Sequence, residues 1–128
     1  MKISVNVLKN SKIFMETLQK LMKTKELDTK EKWKLYDVIK ACNDGLKKAD
    51  EIINDLIEKY ATDKEDGKIS IDPSKMSQEQ VVSFNKEYSS IINNDIELPI
   101  NEKIKLNEKS IENFTVEELI ILSDIIER

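Results

Sequence analysis

The chain has no histidine, one cysteine, two glycines and two prolines in 128 residues. Each scarcity removes a class of chemistry. Without histidine, a serine or cysteine nucleophile lacks its usual base, and metal sites built on His and Cys are excluded. Cys42 has no second thiol to pair with, and it falls in an apolar stripe, so both facts point to a reducing cytoplasm. Two glycines cannot build a phosphate-cradling loop. No stretch reaches the ~18 consecutive apolar residues of a membrane span, and the start, MKISVNVLKN, lacks the apolar run of a signal peptide. Neighbouring carboxylates such as Glu117 with Glu118, or Asp50 with Glu51, do not face one another on a helix. The expectation is a non-enzymatic cytoplasmic protein with no cofactor and no metal.

What is present is charge and helix-forming residues. Charged side chains make up 36% of the chain and hydrophobic ones 39%, the balance of a soluble helical protein rather than a disordered one. The length suits one domain with a modest core. Net charge is −4 but uneven: residues 1–60 carry 13 lysines against 10 acids, and residues 95–128 carry 4 bases against 9 acids. Lys, Ile, Asn and Glu are abundant, the bias that an A+T-rich genome imposes.

The dominant pattern lies between Leu35 and Tyr60. Leu35, Ile39, Cys42, Leu46, Ala49, Ile53, Leu56 and Tyr60 fall at alternating spacings of four and three, a coiled-coil seam. Val38, Ile52 and Ile57 widen it. No proline interrupts the run, and Gly45 costs it about 1 kcal/mol relative to alanine. With Asp28 and Glu31 as a capping box, the spacing predicts a helix over residues 28–60, close to 50 Å at roughly 1.5 Å per residue. Asp exchanged for Leu46 or Ile53 is then expected to destabilise the fold or its oligomer.

Before this helix, Ile3, Val5 and Val7 alternate as a short strand, and Phe14, Leu18 and Leu21 mark a first helix from about residue 11 to 24. A tight break near Glu26 and Leu27 folds the two helices into a hairpin. After it, Thr62–Lys68 reads as a solvated turn at Asp66-Gly67. An EF-hand there would put Thr62, Lys64 and Pro73 at ligand places, which excludes calcium. Ser77 with Gln80 opens a further helix to about residue 93. Ile96, Leu98 and Ile100, then Ile104 and Leu106, read as a two-stranded hairpin, with Pro99 marking its strand as an edge. Thr115 with Glu118, stapled by Phe114 and Leu119, opens a last helix through Ile126. The class is therefore α+β and helix-dominated: a long helical hairpin with further helices and a small antiparallel sheet. It forms one domain, with strand and helical hairpin in residues 1–60 and β-turn, helix, β-hairpin and C-terminal helix in 61–128.

The back half of the long stripe must meet either another helix of the chain or a second copy. Trp33 and Tyr36, at the start of that helix, read either as interface anchors or as rings packed over the hairpin. Trp33, Tyr36, Leu46, Ile53, Leu56 and Tyr60 are thus the candidates for partner binding or self-association. The lysines near the front have no interleaved aromatic or Arg for stacking on bases, so they do not point to nucleic acid as a partner. Lys103, Lys105 and Lys109 interrupt the acidic tail and weaken a DNA-mimic reading.

Three stretches, IEKYATDKEDGK, FNKEYSSIINNDIEL and KIKLNEKSIENFTVEELIILSDII, resemble a family of small, functionally uncharacterised proteins of tailed phages and prophages of low-G+C bacteria. The resemblance covers roughly residues 50–126 and carries no catalytic signature. It implies a phage accessory protein inside the bacterial host cell. The expected function is protein binding by occupation of a host protein's surface, for example as an inhibitor of a host defence system. The alternative is a virion or tail-assembly accessory that self-associates through the long helix.

Overall fold

A computed structural model describes residues 1–127. The long helix organises it. α3 runs over Thr29–Lys59, 31 residues, and turns Leu35, Val38, Cys42, Ala49, Ile53 and Leu56 inward. Against its front half packs α2 (Lys12–Met22), which buries Phe14, Leu18 and Leu21 on one face. Against its back half packs α4 (Gln78–Ile92), so the second half of the stripe finds its cover within the chain. Tyr60 meets Phe84 edge to face at 5.6 Å between ring centroids, and Lys59 Nζ lies 3.0 Å from Glu87 Oε1.

Three two-stranded sheets close the ends. β1 (Lys2–Ser4) pairs antiparallel with β4 (Asp95–Glu97), Ile3 opposite Ile96. β2 (Asp63–Glu65) and β3 (Lys68–Ser70) form a hairpin turned by Asp66 and Gly67, both at positive φ (50° and 76°), as a two-residue type I′ turn requires. β5 (Ile104–Lys105) pairs parallel with β6 (Ile126–Glu127). Short α1 (Val5–Asn10), α5 (Glu108–Glu112) and α6 (Val116–Ile121) complete the chain. The core joins α2, α3 and the C-terminal third around Leu18, Leu21, Leu35, Val38, Ile104 and Leu122, each at most 1% exposed.

Several local expectations are corrected. The first strand ends at Ser4, whose hydroxyl accepts the Val7 N–H at 3.2 Å and starts α1; Val5 and Leu8 then bury on one helical face. The expected hairpin of Ile96–Ile100 with Ile104–Leu106 does not form. Leu98 N–H donates to Met1 O at 2.8 Å, while Ile104 N–H donates to Ile125 O at 2.8 Å. Both runs satisfy a two-residue period with partners remote in sequence. The last helix stops at Ile121 rather than Ile126, because Ile126 and Glu127 supply the backbone that β5 needs. Residues 108–112, between β5 and the last helix, form a helical turn capped by Asn107 Oδ1 on Ser110 N–H at 2.8 Å.

Of the three capping boxes, those at Ser77/Gln80 and Thr115/Glu118 form. The Asp28/Glu31 box does not: Asp28 is the N-cap residue without a side-chain bond, and Glu31 points away. Its carboxylate is buried, accepting the Lys105 N–H at 2.9 Å through Oε2 and facing Lys34 Nζ at 3.3 Å. Glu31 therefore fastens α3 to β5.

Gly45 has a packing reason. A methyl there would sit 2.8 Å from Ile96 Cγ1, inside the contact between α3 and β4. Helix propensity alone would make Gly45→Ala stabilising by up to about 1 kcal/mol. We expect net destabilisation by about 1 kcal/mol instead, since overpacking typically costs about 1–3 kcal/mol. In an Ile96→Ala background the same change should turn neutral or favourable. Thermal melts of the four proteins in this cycle check it, and a stabilised single variant would refute the close approach.

Candidate binding surface

The helix that hides one stripe displays another. Trp33 and Tyr36 stand one turn apart on the face of α3 opposite Leu35, Val38 and Cys42. Trp33 is 67% exposed and Tyr36 55% exposed. They are left uncovered because α2 ends at Met22 and packs on the inner side. Met22 returns beside them, and with Thr29 and Lys32 the two rings line an open groove of about 420 Å³. The reading of Trp33 as a ring packed over the hairpin does not hold.

The other four candidates lie elsewhere. Ile53 and Leu56 are buried, Leu46 is half-buried against the core, and Tyr60 is half-buried against Phe84. These residues face their own chain, so the six do not form one surface. Sequence pattern missed Met22, Thr29 and Lys32 as walls of the groove; Met22, at the rim of the first helix's stripe, was the available signal.

Charge is distinctive around the groove. The segment Lys20–Lys40 holds seven lysines against four acids, +3, whereas the rest of the chain holds 14 bases against 21 acids, −7. Lys34 is spent on Glu31 and Lys20 on Glu118, the latter at 2.9 Å. Lys23, Lys25, Lys30, Lys32 and Lys40 have no carboxylate within ion-pair distance among the described residues. Val116 and Ile120 on α6 form another exposed apolar pair, but they are aliphatic and flank Glu117.

Titratable groups elsewhere are structural in their surroundings. Burial pushes the Cys42 thiol up to about 11, so it stays protonated and is no nucleophile at neutral pH. The Thr115 N–H and the Lys20 ammonium hold the Glu118 carboxyl below the ordinary glutamate range. The Tyr60 hydroxyl and the Lys59 ammonium do the same for Glu87. Among the described residues no three His, Cys, Asp or Glu side chains gather as a metal site, and no helix is long and apolar enough to cross a membrane. No family model, curated protein or solved structure matches the chain, so the surface is read from its own residues.

Proposed function

We propose that this chain is a non-enzymatic binding protein that works by occupying the surface of another protein, with Trp33 and Tyr36 as its anchors. The observation that carries the reading is that exposed pair. Large aromatic rings left in water on a rigid helix, with a groove between them, are the side chains that dominate protein interfaces. A phage-encoded inhibitor of a bacterial defence system is the form we favour, on the strength of the sequence resemblance and the small size. Self-association through the long helix is the weaker reading. It needs the apolar seam free, and Ala49, Ile53 and Leu56 are already enclosed.

The test is affinity capture from a bacterial host lysate with the wild-type chain and a Trp33→Ala/Tyr36→Ala variant, both confirmed folded by circular dichroism. A host protein held by the wild type and lost by at least about tenfold from the variant supports the reading. Sedimentation should give a monomer of 14.9 kDa. A stable higher oligomer that survives the aromatic double substitution would return the function to assembly through the seam.

A further inference from the structure

Resting on the binding reading above, we infer that the Trp33–Tyr36 groove takes an acidic amphipathic segment of a partner protein. An apolar side chain of that segment seats between Trp33, Tyr36 and Met22. Its carboxylates meet Lys32 in the groove wall, with Lys23 beside Met22 and Lys40 one turn beyond Tyr36.

Two features select this occupant. The first is shape and chemistry: the groove is open-ended, and its walls are two rings, a thioether and the methyl-bearing Thr29. Such a cleft accepts an aliphatic or aromatic side chain presented from a helix, the recognition mode of helix-in-groove complexes. The second is charge. The molecule as a whole is acidic, yet the segment Lys20–Lys40 carries +3, and five of its lysines, Lys32 among them, have no ion pair among the described residues. Positive side chains around an apolar centre steer and align a complementary acidic partner. A nucleic-acid strand fits less well. Asp37, next to Tyr36, sets a carboxylate in the path of a continuous phosphodiester backbone, whereas a peptide can place its separate charges around it.

Trp33 is the chain's single tryptophan, so its emission reports on the groove directly. The probe is a synthetic helical peptide of glutamate and alanine carrying leucines along one face. We expect it to move Trp33 emission to shorter wavelength in a saturable titration, with affinity falling as salt rises. Lys32→Glu/Lys40→Glu should weaken that affinity at least about tenfold while leaving the melting temperature unchanged. No emission change with the peptide overturns the inference. So does equal binding of a peptide with glutamine for every glutamate. A shift produced instead by oligothymidylate assigns the surface to nucleic acid, and one produced by raising the protein's own concentration assigns it to a second copy. The two levels separate cleanly. A captured host protein that is lost on Trp33→Ala/Tyr36→Ala but kept on Lys32→Glu/Lys40→Glu refutes the acidic partner and leaves the binding reading standing. Failure to capture any protein refutes that reading itself.

Discussion

Ile53→Asp is expected to abolish the cooperative fold or to lower the melting temperature by more than about 10 °C. Ile53 is buried in the back half of α3, the half that α4 covers. An aspartate there loses the transfer energy of a large aliphatic side chain, roughly 1.5–3 kcal/mol. It also requires a carboxylate to ionise away from water or to be held protonated, which costs further. Native proteins of this size have only about 5–15 kcal/mol to lose. Leu46→Asp should be milder, because Leu46 is half-buried and a short rotation can bring its carboxylate to solvent. Thermal and urea denaturation followed by far-ultraviolet circular dichroism measure both. Equal effects, or an unchanged transition for Ile53→Asp, would show that α4 does not cover this stripe.

Glu31→Ala should cost about 3 kcal/mol, the second largest effect we expect. The Glu31 side chain is only 8% exposed, and the Lys34 side chain opposite it is 16% exposed. Removing it strands that ammonium and the Lys105 N–H together, leaving Glu102 Oε2 at 3.8 Å as the only other acid beside Lys34 among the described residues. Glu31→Gln keeps an acceptor for the Lys105 N–H and should therefore cost less than alanine. Glu31→Ala combined with Lys34→Met should cost less than the sum of the two separate changes, because the stranded charge is gone. A Glu31→Ala protein within about 0.5 kcal/mol of wild type in urea denaturation would mean that β5 does not depend on this tether.

The reach of sequence reasoning follows from the range of each interaction. α3 was legible because its stripe, its missing prolines and its length all act along one helix; its observed ends, Thr29 and Lys59, fall one residue inside the expected ones. The boxes at Ser77/Gln80 and Thr115/Glu118 were legible for the same reason, each bond spanning three residues. Strand partners were not. The alternation at Ile96–Ile100 and Ile104–Leu106 reports burial of one face, and it is silent on which distant backbone completes the ladder. Glu31 shows the same limit at one side chain. Its spacing from Asp28 fits a local cap, yet an amide 74 positions away wins its carboxylate. Of the five residues lining the candidate groove, Trp33 and Tyr36 were readable, since they share a helical face. Which face α2 would leave bare was not, because that depends on where Met22 ends its helix.

Cys42 lies wholly enclosed midway along α3 and has no sibling in the chain. An alkylating reagent can reach that sulfur only in molecules that have transiently opened around the middle of the long helix. Its labelling rate under native conditions is therefore a built-in gauge of opening free energy, slowing about tenfold for each 1.4 kcal/mol by which a bound partner or a substitution tightens the structure.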